Sequence, residues 1–204
     1  YFYVKPYYDF VKSSGKTGSA FAKGILNAAS CGCDHVIAPT PGSTATVQTY
    51  DAAGKTGTIC IEGGTRVALQ IKNILGTPSN PVLIVNCGGK VFINSTYSYG
   101  VNITNSKYFV IDGSLGSDEY GIKIDNNDIS QGLHLSGRTS HFTIRRVEIL
   151  RAGFAGIMAK SDPYCTNTVT RQNFSMDSIL IENNWIHDTK AGEGMYIGYT
   201  FPTK

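Results

Sequence analysis

Short runs of alternating apolar and polar residues, each closed by Asn, Asp, Gly or Ser, recur from Thr58 onward. Val67-Ala68-Leu69-Gln70-Ile71, Val101-Asn102-Ile103, Leu133-His134-Leu135, Ile157-Met158-Ala159 and Met195-Tyr196-Ile197 are examples. A period of two is the signature of a strand with one face buried and the other exposed. Strands this short cannot bury an apolar face alone, so they must stack on similar neighbours. Four of them open with Gly before an apolar residue, at Gly100, Gly132, Gly156 and Gly194, at spacings of 32, 24 and 38 residues. A coil of three short strands needs roughly 22–25 residues, so these intervals suit one coil each, the longer ones with added loops.

The turns fit the same logic. Asn105, Asn126 and Asn183 or Asn184 end strands where the chain must bend sharply, and Asn tolerates the left-handed backbone of such a bend. Asp112-Gly113 is the only Asn-Gly or Asp-Gly hairpin dipeptide, which argues against a sandwich of paired hairpins. The expected fold is therefore all-β, a solenoid of stacked coils. Residues 1–30 read differently. Tyr1-Phe2-Tyr3-Val4 suits a short strand, and the apolar spacing of residues 20–29 suits a short helix, together an N-terminal cap. Residues 31–57 are rich in turns and carry no clear pattern, and residues 31–204 are assigned to the solenoid. The strand run that stops at Lys204 gives the expectation of the N-terminal part of a longer solenoid, truncated at its C-terminal end. The opening at Tyr1 suits a mature secreted chain or a fragment.

Composition sets limits. Hydrophobic residues make up 41% and charged ones 16%, which supports a packed core. The net charge of +3 favours an acidic partner only mildly. There is no Lys/Arg run, so nucleic acid is not expected. No apolar run reaches the ~18 residues of a membrane span. Five cysteines leave at least one unpaired if the others form disulfides. Cys60 reads as a small buried hydrophobe, and Cys31-Gly-Cys33 has no Cys or His partner at metal-ligand spacing. There is no Gly-Xaa-Ser-Xaa-Gly elbow, Walker loop or His-Glu-Xaa-Xaa-His motif.

Three stretches carry a resemblance: Tyr3-Val4 then Ser19–Ile25 with Asn27-Ala28, Gly57–Thr65 followed by Gly76–Ile84, and Ile179–Thr189 followed by Gly192–Gly198. They resemble the N-terminal cap, first coil and repeat coil of secreted right-handed β-helix proteins of the pectate-lyase-like superfamily. In style they are most similar to the surface and secreted β-helix repeat proteins of Bacteroidetes-type bacteria. The resemblance implies a right-handed parallel β-helix fold and a secreted or cell-surface protein with a polysaccharide partner, with further domains in the same longer chain. It implies a lyase-like enzyme that cleaves an acidic, uronic-acid glycan by β-elimination. The alternative it leaves open is a non-catalytic carbohydrate-binding, adhesive or structural module. Such lyases use Ca²⁺ or a Lys/Arg side chain as the cation; Ca²⁺ is the one cofactor considered.

Elimination needs a base to take the proton α to the uronate carboxylate and a cation to hold the resulting charge. If the Gly-led strands stack, Asn102, His134, Met158 and Tyr196 form one outward column, and Thr104, Ser136, Lys160 and Gly198 the next. His134, Lys160 and Tyr196 are the candidate catalytic residues. Asn102, Arg138, Arg151 and Glu193 are candidate substrate-binding residues. Asp125 and Asp128, in Asp125-Asn126-Asn127-Asp128, are candidate Ca²⁺ ligands, although the segment lacks EF-hand spacing. Arg145-Arg146 could bind carboxylates, with at least one of the pair structural. His141 and His187 read as turn residues, and His35 is unassigned.

Overall fold

A computed structural model describes residues 31–40, 46–162, 169–170 and 172–198. The cap expected over residues 1–30 lies outside them. Among the described residues, fifteen strands follow one another with no helix between them. In chain order they are β1 (His35–Ile37), β2 (Val47–Asp51), β3 (Thr58–Arg66), β4 (Ala68–Lys72) and β5 (Val82–Asn94). Next come β6 (Tyr99–Thr104), β7 (Lys107–Asp112), β8 (Ile122–Asp125), β9 (Gln131–Ser136) and β10 (Ser140–Arg145). The last are β11 (Val147–Leu150), β12 (Ala155–Lys160), β13 (Ile179–Glu182), β14 (Trp185–His187) and β15 (Glu193–Gly198).

Every strand pairing among the described residues is parallel, and each strand pairs with its counterparts in the coils before and after. β2, β4, β6, β9, β12 and β15 make one sheet in that order. The other strands form two series joined through the long β3 and β5. The first half of β5 pairs with β7, followed by β10 and β13. Its second half pairs with β8, followed by β11 and β14. The chain is thus an all-β protein of repeating parallel strands in a solenoid-like arrangement. The repeat begins earlier than the sequence pattern suggested. β1 pairs with β3 and β2 with β4, although neither β1 nor β2 shows clean alternation.

Val82–Val85 and Val91–Ile93 read as separate runs but belong to the single strand β5. Gly88 and Gly89 take positive φ values within it, and a bulge interrupts the pairing of β3 beside Gly63 and Gly64. A Cβ on Gly63 would press on the Gly88 carbonyl, so close backbone approach at this bend requires glycine.

Inward columns build the core. Leu69, Val101, Leu133 and Ile157 stack in register, as do Ile71, Ile103, Leu135 and Ala159, and all are buried. Ile124, Ile149 and Ile186 form a facing column. Phe109 and Phe142 stack with ring centroids 5.6 Å apart. Burying each such side chain contributes about 1.5–3 kcal/mol, and stacking identical positions repeats that gain coil after coil. The facing isoleucines also explain the recurrent glycines. A Cβ on Gly100, Gly132 or Gly156 would collide with the γ2 methyl of Ile124, Ile149 or Ile186 respectively. These glycines make room where two sheets meet.

Left-handed residues mark equivalent corners. Asn73, Asn105 and Gly137 follow β4, β6 and β9; Tyr108, His141 and Ser178 recur at the next corner; Arg146 and Asn183, then Arg151 and Asp188, at the two after. Asn105 and Asn183 behave as their sequence context suggests. Asn126 does not: the positive φ belongs to Asn127 and Asp128. Asn126 is instead buried, donating from Nδ2 to the Tyr97 carbonyl.

Two disulfides lie at the start of the solenoid, Cys31–Cys87 and Cys33–Cys60. They correct the reading of Cys60 as a plain hydrophobe and supply the partners that Cys31 and Cys33 lacked in the linear sequence. Closing 27- and 56-residue separations stabilises by roughly 3.5 and 4 kcal/mol on loop-entropy grounds. Cys165 lies outside the described residues.

Candidate functional site

The sheet of β2, β4, β6, β9, β12 and β15 aligns the expected outward column. Gln70, Asn102, His134, Met158 and Tyr196 are successive register partners. In the next column Lys72 pairs with Thr104, Thr104 with Ser136, and Lys160 with Gly198. Neighbouring strands lie ~4.8 Å apart, so His134, Met158 and Tyr196 span about two such steps.

A chain of amides leads to His134. Gln70 Nε2 donates to Asn102 Oδ1 at 3.3 Å, and Asn102 Nδ2 lies 3.2 Å from His134 Nδ1 and 3.1 Å from Ser136 Oγ. An amide NH₂ only donates, so in this arrangement Nδ1 accepts and the imidazole proton sits on Nε2. Rotating both amides reverses the chain. Nδ1–H then donates to Asn102 Oδ1, and Nε2 becomes the basic nitrogen. Burial, followed by the Lys160 charge, lowers the His134 pKa, with Asp162 opposing. Both effects favour the neutral ring, the form a general base requires.

Lys160 Nζ lies 3.0 Å from Asp162 Oδ2 and 5.3 Å from the centre of the Tyr196 ring. Phe154, half-exposed, meets Tyr196 edge-on at 5.7 Å. The face thus holds a neutral imidazole, an ammonium and two aromatic rings. The sequence did not single out Phe154, because it sits in a turn outside the alternating pattern.

The candidate binding residues fall in different places. Asn102 is 5% exposed and hydrogen-bonded on several sides, so it orients His134 rather than meeting a ligand directly. Glu193 begins β15, in register with Ala155 on the same sheet. Arg138 lies in the turn after β9, and its guanidinium donates to the Asn173 carbonyl. Arg151 follows β11, outside the sheet that carries His134. It grips Asp125 with Nε and Nη2, at 2.9 and 2.5 Å, and donates to Asn127. Asp128 lies 3.7 Å from Lys190 Nζ. Both candidate Ca²⁺ carboxylates therefore face a cationic side chain. Arg145 bonds Asp112 at 2.8 Å and lies 3.7 Å from Glu182, while Arg146 adopts a left-handed backbone beside Glu119. His35 opens β1.

Three cysteine sulfurs, of Cys31, Cys33 and Cys87, lie within 4.8 Å of one another. The two disulfides account for that closeness, and they leave these sulfurs without a thiolate to offer a metal.

A second polar cluster escaped the sequence reading. Glu148 projects from β11 with its side chain only 5% exposed. Lys123 Nζ is 2.5 Å from one carboxylate oxygen and Lys90 Nζ 3.2 Å from the other. His187 Nε2 lies 3.6 Å away, and His187 Nδ1 bonds Asp188 at 2.7 Å. Burial opposes ionisation of Glu148, but hydrogen bonds from Lys123 and Lys90 outweigh it and hold its pKa below the usual carboxylate value. Trp185 stacks on the His187 ring at 4.0 Å. Both histidines read as turn residues lie in strands: His187 in β14, and His141 in β10, where it takes a left-handed backbone and meets the Tyr108 ring at 4.6 Å. Alternation in Val147-Glu148-Ile149 could have put Glu148 outside. Its lysines lie 58 and 25 residues away, and only coil register brings them in.

Fold and site together define the class: an all-β, solenoid-like protein of parallel strands with a polar and aromatic outward face. A scan against protein-family models matches none, and searches of curated proteins and of solved structures return no match. Among the described residues, no helix is long and apolar enough to cross a membrane.

Proposed function

We propose that the chain forms right-handed parallel β-helix coils and that the sheet ending in β15 works on an acidic polysaccharide by β-elimination. One observation carries this reading: His134 stands two strands from Tyr196, near Lys160, and burial and the Lys160 charge favour its neutral form. In the reaction, His134 Nε2 takes the proton α to the uronate carboxylate, in the tautomer with Nδ1–H donated to Asn102. Lys160 faces the carboxylate and holds the charge that builds on it. The electron pair left at the α carbon forms the double bond as the glycosidic oxygen departs. Tyr196 protonates that oxygen in this scheme, and the Phe154–Tyr196 pair offers an apolar wall for the sugar ring.

Lys160 supplies the cation in this scheme. Calcium at Asp125 and Asp128 would have to displace Arg151 and Lys190. The disulfides support a secreted or cell-surface setting, where oxidising conditions maintain them. The test is release of unsaturated uronides from a panel of uronic-acid polymers, with and without calcium. Turnover that falls at least 100-fold in His134→Ala and in Lys160→Ala supports the reading; absence of product from every polymer removes it. A second reading, glycan binding without cleavage, draws on the Asp162 pairing of Lys160. It predicts retention of an acidic glycan with no product, weakened by Lys160→Ala or Tyr196→Ala.

A further inference from the structure

We propose that the outward column of β5, β8, β11 and β14 is a second acidic-glycan contact, with Trp185 as its stacking platform. The ligand class rests on the reading above, but the surface is separate. Phe92, Lys123, Glu148 and Trp185 are successive register partners, so they stand in one line across four strands. At ~4.8 Å per step the aromatic ends lie about 14 Å apart, a reach suited to a short oligosaccharide. Both ends are open: Phe92 is 41% and Trp185 48% exposed. The rings are held rather than loose. Trp185 lies flat on His187, with ring planes 21° apart, and Lys90 sits 5.8 Å over Phe92. A fixed ring loses little freedom on binding, which favours stacking against the C–H face of a sugar.

Charge chooses among sugars. Lys90 and Lys123 flank the single carboxylate of Glu148, two ammonium groups to one carboxylate among these three side chains. Glu148 fixes both amines and is itself nearly covered. The ammonium groups, each on a side chain about a quarter exposed, remain the charges a ligand meets. A uronate satisfies both demands, with an apolar ring face for Trp185 and a carboxylate for Lys123.

Trp185 is the only tryptophan in the chain, so its emission reports on this column alone. The experiment titrates the folded protein with oligogalacturonate and with a neutral glucan oligomer of matched length. The expected result is a saturable change in emission at lower concentrations of the acidic oligomer. Phe92→Ala should raise its dissociation constant about 10-fold, the scale of losing one stacking ring. Lys123→Gln, with Lys90 still on Glu148, should abolish the acidic preference. Circular dichroism verifies that each variant is folded. Unchanged emission at millimolar oligogalacturonate, or equal response to both oligomers, overturns the proposal. Turnover measured in parallel separates the two readings. Product without an emission change removes this column and leaves the elimination site standing. An emission change without product does the reverse.

Discussion

Two outward columns run along this solenoid-like stack, built by the same register but carrying different chemistry. On the sheet ending in β15, Asn102, Met158 and Tyr196 share a column with one imidazole, His134, whose neutral form burial favours, and the nearby cation Lys160 is tied to a half-exposed partner. On β5, β8, β11 and β14, a nearly covered carboxylate is gripped by two lysines and faced by an imidazole. The first column favours the uncharged form of its ionisable ring; the second clamps one carboxylate between two ammonium groups. Stacked coils fix which residues meet, but the chemistry of each face depends on which side chain each coil contributes.

The largest contrast should come from Glu148. Replacing it with Ala leaves two ammonium groups facing each other beside His187. Chemical denaturation should show a loss of about 3 kcal/mol, the low end for a broken buried ion cluster because the lysines keep some contact with water. Lys160→Ala removes a partner from the half-exposed Asp162 and should cost no more than about 1 kcal/mol in the same assay. Equal losses at the two sites would erase the distinction between the columns.

The pH dependence separates them next. Glu148 ionises more easily folded than unfolded, so its contribution is complete above about pH 4.3 and is lost as pH falls through its lower folded value. His134 also has a lowered folded pKa. Its neutral form stabilises fully above about pH 6.5, and that contribution shrinks as pH falls through the window below. Stability should therefore decline in two stages on acidification, His134 first, and His134→Gln should remove only the first. In turnover, the acid limb of kcat/KM should lie below the ordinary imidazole value, and Lys160→Gln should move it upward by removing a lowering charge.

The smallest effect lies in the shared interior, at glycines that look alike. Gly194→Ala meets only the Ile186 γ2 methyl, at 3.8 Å, and should change stability by less than about 0.5 kcal/mol. Gly132→Ala collides with the Ile149 methyl and the Gly156 carbonyl and should cost about 1–3 kcal/mol. Thermal melts of the pair test whether coil contact, rather than strand propensity, dictates these glycines.

The glycines also show how far the sequence could be read. Their recurrence, with period-two runs between them, pointed to stacked parallel strands and put Asn102, His134, Met158 and Tyr196 in one column. Those features are local, and each strand carries its own share of the pattern. The Glu148 cluster was not legible, because its members come from four coils and no local spacing ties Lys90 or Lys123 to Glu148. The disulfides were hidden for the same reason: Cys31 meets Cys87 across 56 residues. Asp125 and Asp128 invited a metal because adjacent oxygens are visible in sequence, whereas the facing Arg151 and Lys190 are not.

The most direct test of the central claim follows the ultraviolet absorbance of the new double bond when the protein meets uronic-acid polymers, in wild type and in His134→Ala. The account predicts product from at least one polymer and a 10²- to 10⁴-fold loss of turnover in the folded variant, the usual worth of a general base. Undiminished turnover in His134→Ala would contradict it.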